Sequence, residues 1–213
     1  MGNTINNNRR VVVTGMGAVT PLGLNARETW QNLLAGKNGI APITLFDTEN
    51  YKAKLGAEVK GFDPALYLER NDILRTDRYA QFAVAAAQQA AEESQIEGAV
   101  EPERFAVQFG AGIGGINTFE TEYKKLMERG PRRVSPLFVP MMIANMAAGM
   151  IAIRHNCQGS AMPSVTACAS GSNAIGEAMR MIRHGYADAV ITGGTEAAIT
   201  PAAVAGFTNM QAL

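Results

Sequence analysis

The hydrophobic pattern begins with a β-branched run at residues 10–14 (RVVVT), ended by Gly15, which predicts a buried strand followed by a turn. Asn25 with Glu28 three positions on makes a capping-box pattern. The helix it opens carries Trp30, Leu33 and Leu34 and closes near Gly36. Residues 38–72 are irregular, with short strand-like pieces. Residues 75–95 are alanine-rich with Tyr79, Phe82, Val84 and Ala86 inward, which predicts a long buried helix. A strand is predicted at 104–109, running into the glycine-rich stretch 110–115. There follow a polar helix at 118–127, an apolar helix at 140–154 and a strand end at 164–167. A helix at 170–184 is closed by Gly185, and a strand at 187–192 ends on Gly193 and Gly194. Strands alternating with helices predict an α/β layered fold with a mostly parallel sheet. Residues 1–9 are polar and Asn-rich and read as a disordered leader; residues 10–213 read as the folded unit.

Composition narrows the picture mainly by exclusion. The chain has 213 residues, 47% hydrophobic and 18% charged, enough for a sizeable core, and its formal net charge of zero points to neither nucleic acid nor an anionic membrane. Two cysteines, Cys157 and Cys168, make no disulfide framework, and no apolar signal segment precedes Arg9 and Arg10. The start Met1-Gly2 has Asn6 where a myristoylation site needs Ser or Thr. The longest apolar stretch, 139–153, is too short to span a bilayer. A reducing, cytoplasmic setting is the expectation. No metal-ligand pattern is read. Gly15 with Gly17, and Gly112 with Gly114 and Gly115, do not complete a dinucleotide fingerprint opening a helix.

The chemistry concentrates at 163–171 (PSVTACASG). A strand end runs straight into a helix of small residues, so Cys168 is expected on a sharp strand-to-helix turn. Unpaired backbone N–H groups and the positive end of the helix dipole would there favour a thiolate and meet a developing oxyanion. Turn geometry alone leaves a buried, inert cysteine equally open.

TACASG at 166–171 closely resembles the nucleophile motif of the β-ketoacyl-acyl-carrier-protein synthases. Further segments resemble that family in order: VVTGMGAVTPLG at 12–23, GIGG at 112–115, GPRRVSP at 130–136, NMAAG at 145–149, GGTE at 193–196 and Gly206-Phe207. The likeness is greatest to the synthase II type. Chain-length factors, the inactive relatives, lack the cysteine, and the match of TACASG and GPRRVSP disfavours a thiolase acting on coenzyme A thioesters.

The resemblance implies a thiolase-like fold. The chain would be a layered αβα half, with a mostly parallel mixed sheet, of a five-layered αβαβα sandwich. It also implies an acyltransferase of fatty acid biosynthesis, homodimeric, that condenses acyl-ACP with malonyl-ACP to give 3-oxoacyl-ACP. Cys168 would carry the acyl chain. Ile113 (as gate), Phe138, Ala198 and Phe207 would line the acyl pocket, although core packing explains such residues as well. Arg132 and Arg133 would dock the acidic acyl carrier protein, with Lys124, Lys125 and Arg129 adding charge; Arg70 and Arg75 only approximate a second basic patch. No cofactor is implied beyond the phosphopantetheine that arrives on the carrier.

The family's catalytic histidines lie in segments resembling NAHGTST and TGHLLGAAG, with a lysine nearby, and its second oxyanion donor in GFGGTN. The chain contains none of these. Its two histidines, His155 and His184, read as surface or helix-capping residues. The expectation is an N-terminal half that offers the thiol but does not turn over alone. The competing reading is a fragment that folds or binds carrier protein without catalysis, with a large apolar face exposed where the second half would pack.

Overall fold

A computed structural model describes residues 9–213; the leader expected at 1–9 therefore lies, but for Arg9, outside the described residues. The main sheet has three strands in the order β4-β3-β5, all parallel: β3 (Phe105–Gly110), β4 (Ala161–Ser164) and β5 (Ala189–Gly194). A separate antiparallel pair, β1 (Ala41–Pro42) with β2 (Leu55–Gly56), lies in the irregular region. Helices are α1 (Ala26–Leu34), α2 (Arg70–Ile73), α3 (Arg78–Ser94), α4 (Ile116–Arg129), α5 (Phe138–Met142), α6 (Met146–Arg154), α7 (Ser170–Arg183) and α8 (Pro201–Asn209).

The layering follows from β3, whose six residues are all buried. Side chains alternate between faces of a strand. Phe105, Val107 and Phe109 join one apolar cluster with Tyr79, Ala83 and Val84 of α3 and Ala147, Ala148 and Ile151 of α6. Gly110, of the opposite parity, meets the start of α7, whose Ala174 and Ala178 are buried. Two helices thus cover one face and α7 the other, an αβα half with a parallel sheet. The outer side of α7 is uncovered: Ile175 and Met179, one turn apart, are both exposed.

Three expectations are corrected. Residues 10–14 join no ladder among the described residues, and Val12 and Val13 are 57% and 79% exposed. β-branched residues favour a strand only when a neighbour supplies its other edge. The segment is nevertheless fixed nearby: Gly15 and Gly17 lie directly against the backbone of Ala90 and Ala86 in α3, so these glycines serve helix packing. The helix expected at 140–154 is two helices, α5 and α6, with a break at Ile143. There Tyr79 Oη donates to the Ile143 carbonyl at 2.6 Å, and the Gly115 N–H donates to the Met142 carbonyl at 2.9 Å. Long-range donors capture carbonyls that a continuous helix would use. Finally, the expected strand end at 164–167 stops at Ser164.

Tyr79 is fully buried. Tyr79→Phe is expected to lower unfolding free energy by about 0.5–1.5 kcal/mol by removing the shorter of the two hydrogen bonds to the Ile143 carbonyl, the Met146 N–H at 3.3 Å remaining, measured as a lower urea midpoint at unchanged slope.

Candidate active site

β4 gives way to α7 through a single 3-10 turn, Ala167–Ala169, with Cys168 at its centre. Ala167 has φ +51°, in the left-handed region. A non-glycine residue there costs roughly 1–2 kcal/mol, so surrounding structure must hold it. Ser170, 3% exposed, does so. Its Oγ accepts the Thr166 N–H at 2.9 Å and donates to the Ala167 carbonyl at 2.7 Å. Asn173 Nδ2 donates to Thr166 Oγ1 at 2.7 Å, and the Ala169 N–H donates to the Thr166 carbonyl at 3.1 Å. Cys168 is left exposed two residues before α7, where the first-turn N–H groups have no partner within the helix. The positive end of α7 faces any oxyanion that develops on a carbonyl bound at the sulfur.

Glycines set how close α7 approaches the sheet. Gly110 at the end of β3 sits against the Ser170–Gly171 peptide. A Cβ on Gly194, at the end of β5, would lie 2.7 Å from the Gly171 Cα. The elbow therefore rests on two strand ends by backbone contact.

The loop after β3 closes one side of the elbow. A side chain at Gly112 would come within 3.3 Å of the Ala167 carbonyl oxygen and 3.0 Å of Glu196 Oε2. That carboxylate oxygen accepts the Gly112 N–H at 3.0 Å and the Ile113 N–H at 2.9 Å. Partial withdrawal from water pushes the Glu196 pKa up, while the N–H groups of Ile113, Ala197, Gly112 and Gly114 pull the other way. Glu196 keeps an exposed edge all the same. The irregular segment following it is stitched to α4: Asn117 Nδ2 donates to the Ala197 carbonyl at 2.8 Å.

The two thiols differ in kind. Cys157 is 8% exposed, and burial, aided by the charge of Glu97, pushes its pKa up to about 12. At pH 8 its thiolate fraction is about a thousandfold below that of a thiol at the ordinary 9.0. Iodoacetamide is expected to modify the native chain once, on the peptide containing Cys168, with a second modification only after denaturation; peptide mass mapping checks this.

Neither histidine reaches the elbow. His184 caps the C-terminus of α7 and is exposed, as expected; at 1.5 Å per residue it lies about 24 Å along the axis from Cys168. His155 caps α6, but it is not a surface residue: it is 7% exposed and its Nδ1 lies 2.6 Å from Glu97 Oε1. A cavity of about 570 Å³ gathers around that pair, lined also by Phe105, Arg154 and Asp188, with no candidate site residue in its walls. Among the described residues no cluster of three or more His, Cys, Asp or Glu side chains is placed to hold a metal, and no helix is long and apolar enough to cross a membrane.

A family model described as "Beta-ketoacyl synthase, N-terminal domain" matches residues 8–213. The chain belongs to the β-ketoacyl synthase family. It is 48% identical over 206 residues to 3-oxoacyl-[acyl-carrier-protein] synthase 2 of Synechocystis sp., covering 96% of this chain and 50% of that protein. It is 47% identical over 207 residues to the synthase 2 of Staphylococcus aureus strain COL, covering 97% and 50%. The ishigamide ketosynthase/chain length factor superposes with a TM-score of 0.88 at 29% identity, over 96% of this chain and 51% of that one. A type II polyketide ketosynthase solved with its acyl-carrier protein superposes at 0.83 and 26% identity, over 96% and 50%. The chain thus spans about half the length of the curated relatives it matches, and its fold is the thiolase-like half that these ketosynthases share.

Within this β-ketoacyl synthase domain, Ile113 is 43% exposed on the loop beside the elbow, and Ala198 lies two residues beyond Glu196. Phe138 opens α5 and packs on Phe119 of α4 at 6.3 Å between ring centroids. Phe207 is half-buried on α8. Arg132 and Arg133 are exposed on a 3-10 turn, Pro131–Arg133, just past α4. Buried Glu122 accepts the Ser135 N–H at 2.7 Å behind that turn. Sequence reading gave no role to Ser170 or to Glu196. The available signals were a serine placed to bond back across a strand-to-helix turn and an acidic residue directly after the double glycine that ends a strand.

Proposed function

We propose that the chain is the thiol-bearing half of a 3-oxoacyl-[acyl-carrier-protein] synthase. The observation that carries this is Cys168, exposed on a strained turn between a parallel strand and the start of a 14-residue helix. The Cys168 sulfur attacks the carbonyl carbon of an acyl thioester on the carrier's phosphopantetheine. The bond from acyl carbon to carrier sulfur breaks, the carrier leaves as the thiol, and the acyl group stays as a Cys168 thioester. Malonyl-ACP then loses carbon dioxide, and the carbanion attacks the Cys168 thioester and expels the sulfur, giving 3-oxoacyl-ACP two carbons longer. That second stage builds negative charge on the malonyl thioester oxygen and needs donors aimed at it. His155 is engaged by Glu97 and His184 is remote, so this chain supplies neither, and alone it accepts an acyl group without completing condensation. No cofactor besides the carrier's phosphopantetheine enters these steps, and the setting is the cytoplasm.

Ile113, Phe138, Ala198 and Phe207 receive the acyl chain in this reading. Arg132 and Arg133 receive the acidic carrier, as does Arg129. None of the three has a carboxylate within salt-bridge distance among the described residues, whereas Lys125 is taken by Glu122 and Lys124 by Glu128. A homodimer is supported by β4, which among the described residues has no neighbour on its outer edge and exposes Met162. The exposed Ile175 and Met179 of α7 suit the second half of the synthase.

The test is incubation with acyl-ACP followed by intact-mass and peptide analysis. One acyl group on Cys168, released by hydroxylamine, is expected, and without condensation product. Transfer should slow with added salt, and further in Arg132→Glu/Arg133→Glu, because exposed charges act mainly on encounter. Absence of acyl-Cys168 under conditions where the carrier thioester is intact would overturn the reading.

A further inference from the structure

We infer that Glu196 is a positioning residue for acyl-chain selection, holding the loop of Ile113 against the Cys168 elbow. This deepens the proposed function and rests on it. The argument begins with the loop itself. Ala111 is buried at the end of β3, and beyond it Gly112 and Ile113 have no ladder to join, because the sheet has ended. Their N–H groups need acceptors, and both find the same one, Glu196 Oε2. Bonds from N–H to a carboxylate are about twice as strong as neutral ones.

Glu196 is itself anchored on both sides. The Thr195 N–H donates to the Gly110 carbonyl at 2.9 Å, and Thr195 Oγ1 donates to the Tyr79 carbonyl at 2.6 Å. On the other side the Ala197 carbonyl is held by Asn117. The carboxylate therefore projects from a fixed base, and the loop follows it. Gly112 sits between Glu196 Oε2 and the Ala167 carbonyl, so the loop's distance to the elbow is set by one oxygen. Ile113 is the next residue on that loop, and it is exposed. Removing the oxygen frees two N–H groups and with them the position of Ile113 relative to the sulfur. Because both bonds converge on one oxygen, a glutamine that places its amide oxygen there retains them.

The experiment uses the full chain, measuring transfer of hexanoyl and hexadecanoyl groups from pantetheine thioesters to Cys168 by mass spectrometry. Alongside it, amide hydrogen exchange is read at Gly112 and Ile113. Glu196→Ala is expected to speed exchange of those two amides by about tenfold or more and to shift the hexanoyl-to-hexadecanoyl rate ratio by about tenfold. Glu196→Gln should restore most of both. In an Ile113→Ala background, Glu196→Ala should change the ratio no further, which a merely stabilising residue would not produce. Unchanged exchange or an unchanged ratio in Glu196→Ala, or equal effects with and without Ile113, overturns the inference while acylation of the wild type leaves the functional reading standing. If Glu196→Ala does not fold, the glutamine variant carries the test: loss of loop protection in a folded Glu196→Gln also overturns it. A wild-type chain that takes no acyl group removes the functional reading and the inference together.

Discussion

Replacing Cys168 by alanine should abolish acyl transfer to the chain entirely and leave its folding unchanged. The sulfur is on the surface, makes no hydrogen bond that the elbow depends on, and is replaced by a methyl group in a site already flanked by Ala167 and Ala169. The bonds that hold the turn run through Ser170, Thr166 and Asn173 and remain. Stability should therefore stay within about 0.5 kcal/mol of wild type, as for surface positions without special roles. Cys157 cannot substitute: it is buried and its thiolate is scarce at working pH. The mass of the chain after incubation with acyl-ACP should not increase in Cys168→Ala, whereas Cys157→Ala should acquire one acyl group like the wild type. Acylation persisting in Cys168→Ala would place the nucleophile elsewhere.

What the amino-acid pattern revealed is what depends on near neighbours in the chain. The Asn25 cap is present, its Oδ1 accepting the Glu28 N–H at 2.8 Å. Glu28 reaches back to the Leu24 N–H at 2.9 Å, one residue before the position the motif predicts. The buried strand at β3, the small-residue helix at α7 and the glycine-closed end near His184 also carry local signals, and the turn at Cys168 was legible from strand end, small residues and helix start alone. Elements set by distant partners were not. The break at Ile143 depends on Tyr79, 64 positions away. The role of Glu196 depends on Gly112 and Ile113, more than 80 positions away. Residues 10–14 have strand composition but no ladder, because pairing is a property of two segments and composition describes one. Family resemblance, by contrast, proposed the site residues as a set, from motifs that periodicity does not read.

Gly110→Ala should cost several kcal/mol and disable the elbow, an effect larger than any truncation in its neighbourhood. The new methyl group would overlap the Ser170 carbonyl group and stand 2.8 Å from the Gly171 nitrogen. These are backbone atoms of the first turn of α7, so no rotamer change relieves the clash; either the helix moves off the sheet or the strand end distorts. Overpacking of this kind costs about 1–3 kcal/mol where side chains can adjust, and more where they cannot. Movement of Ser170 also releases the two bonds that hold Ala167 at positive φ, so the turn is expected to relax and Cys168 to lose its place before α7. The expected result is a drop of about 3–5 kcal/mol in urea unfolding together with acyl transfer too slow to detect. Gly194→Ala, pressing on the Gly171 Cα from the neighbouring strand, should act the same way and more mildly. Gly176, on the same helix, has no atom within 4 Å of where its Cβ would stand. Gly176→Ala should accordingly stabilise the chain by about 0.5–1 kcal/mol through helix propensity. Opposite signs at Gly110 and Gly176 would locate the requirement in the contact between α7 and the strand ends. Equal destabilisation at both would mean that α7 as a whole, and not its first turn, tolerates no added methyl, and the packing account of the elbow would fail.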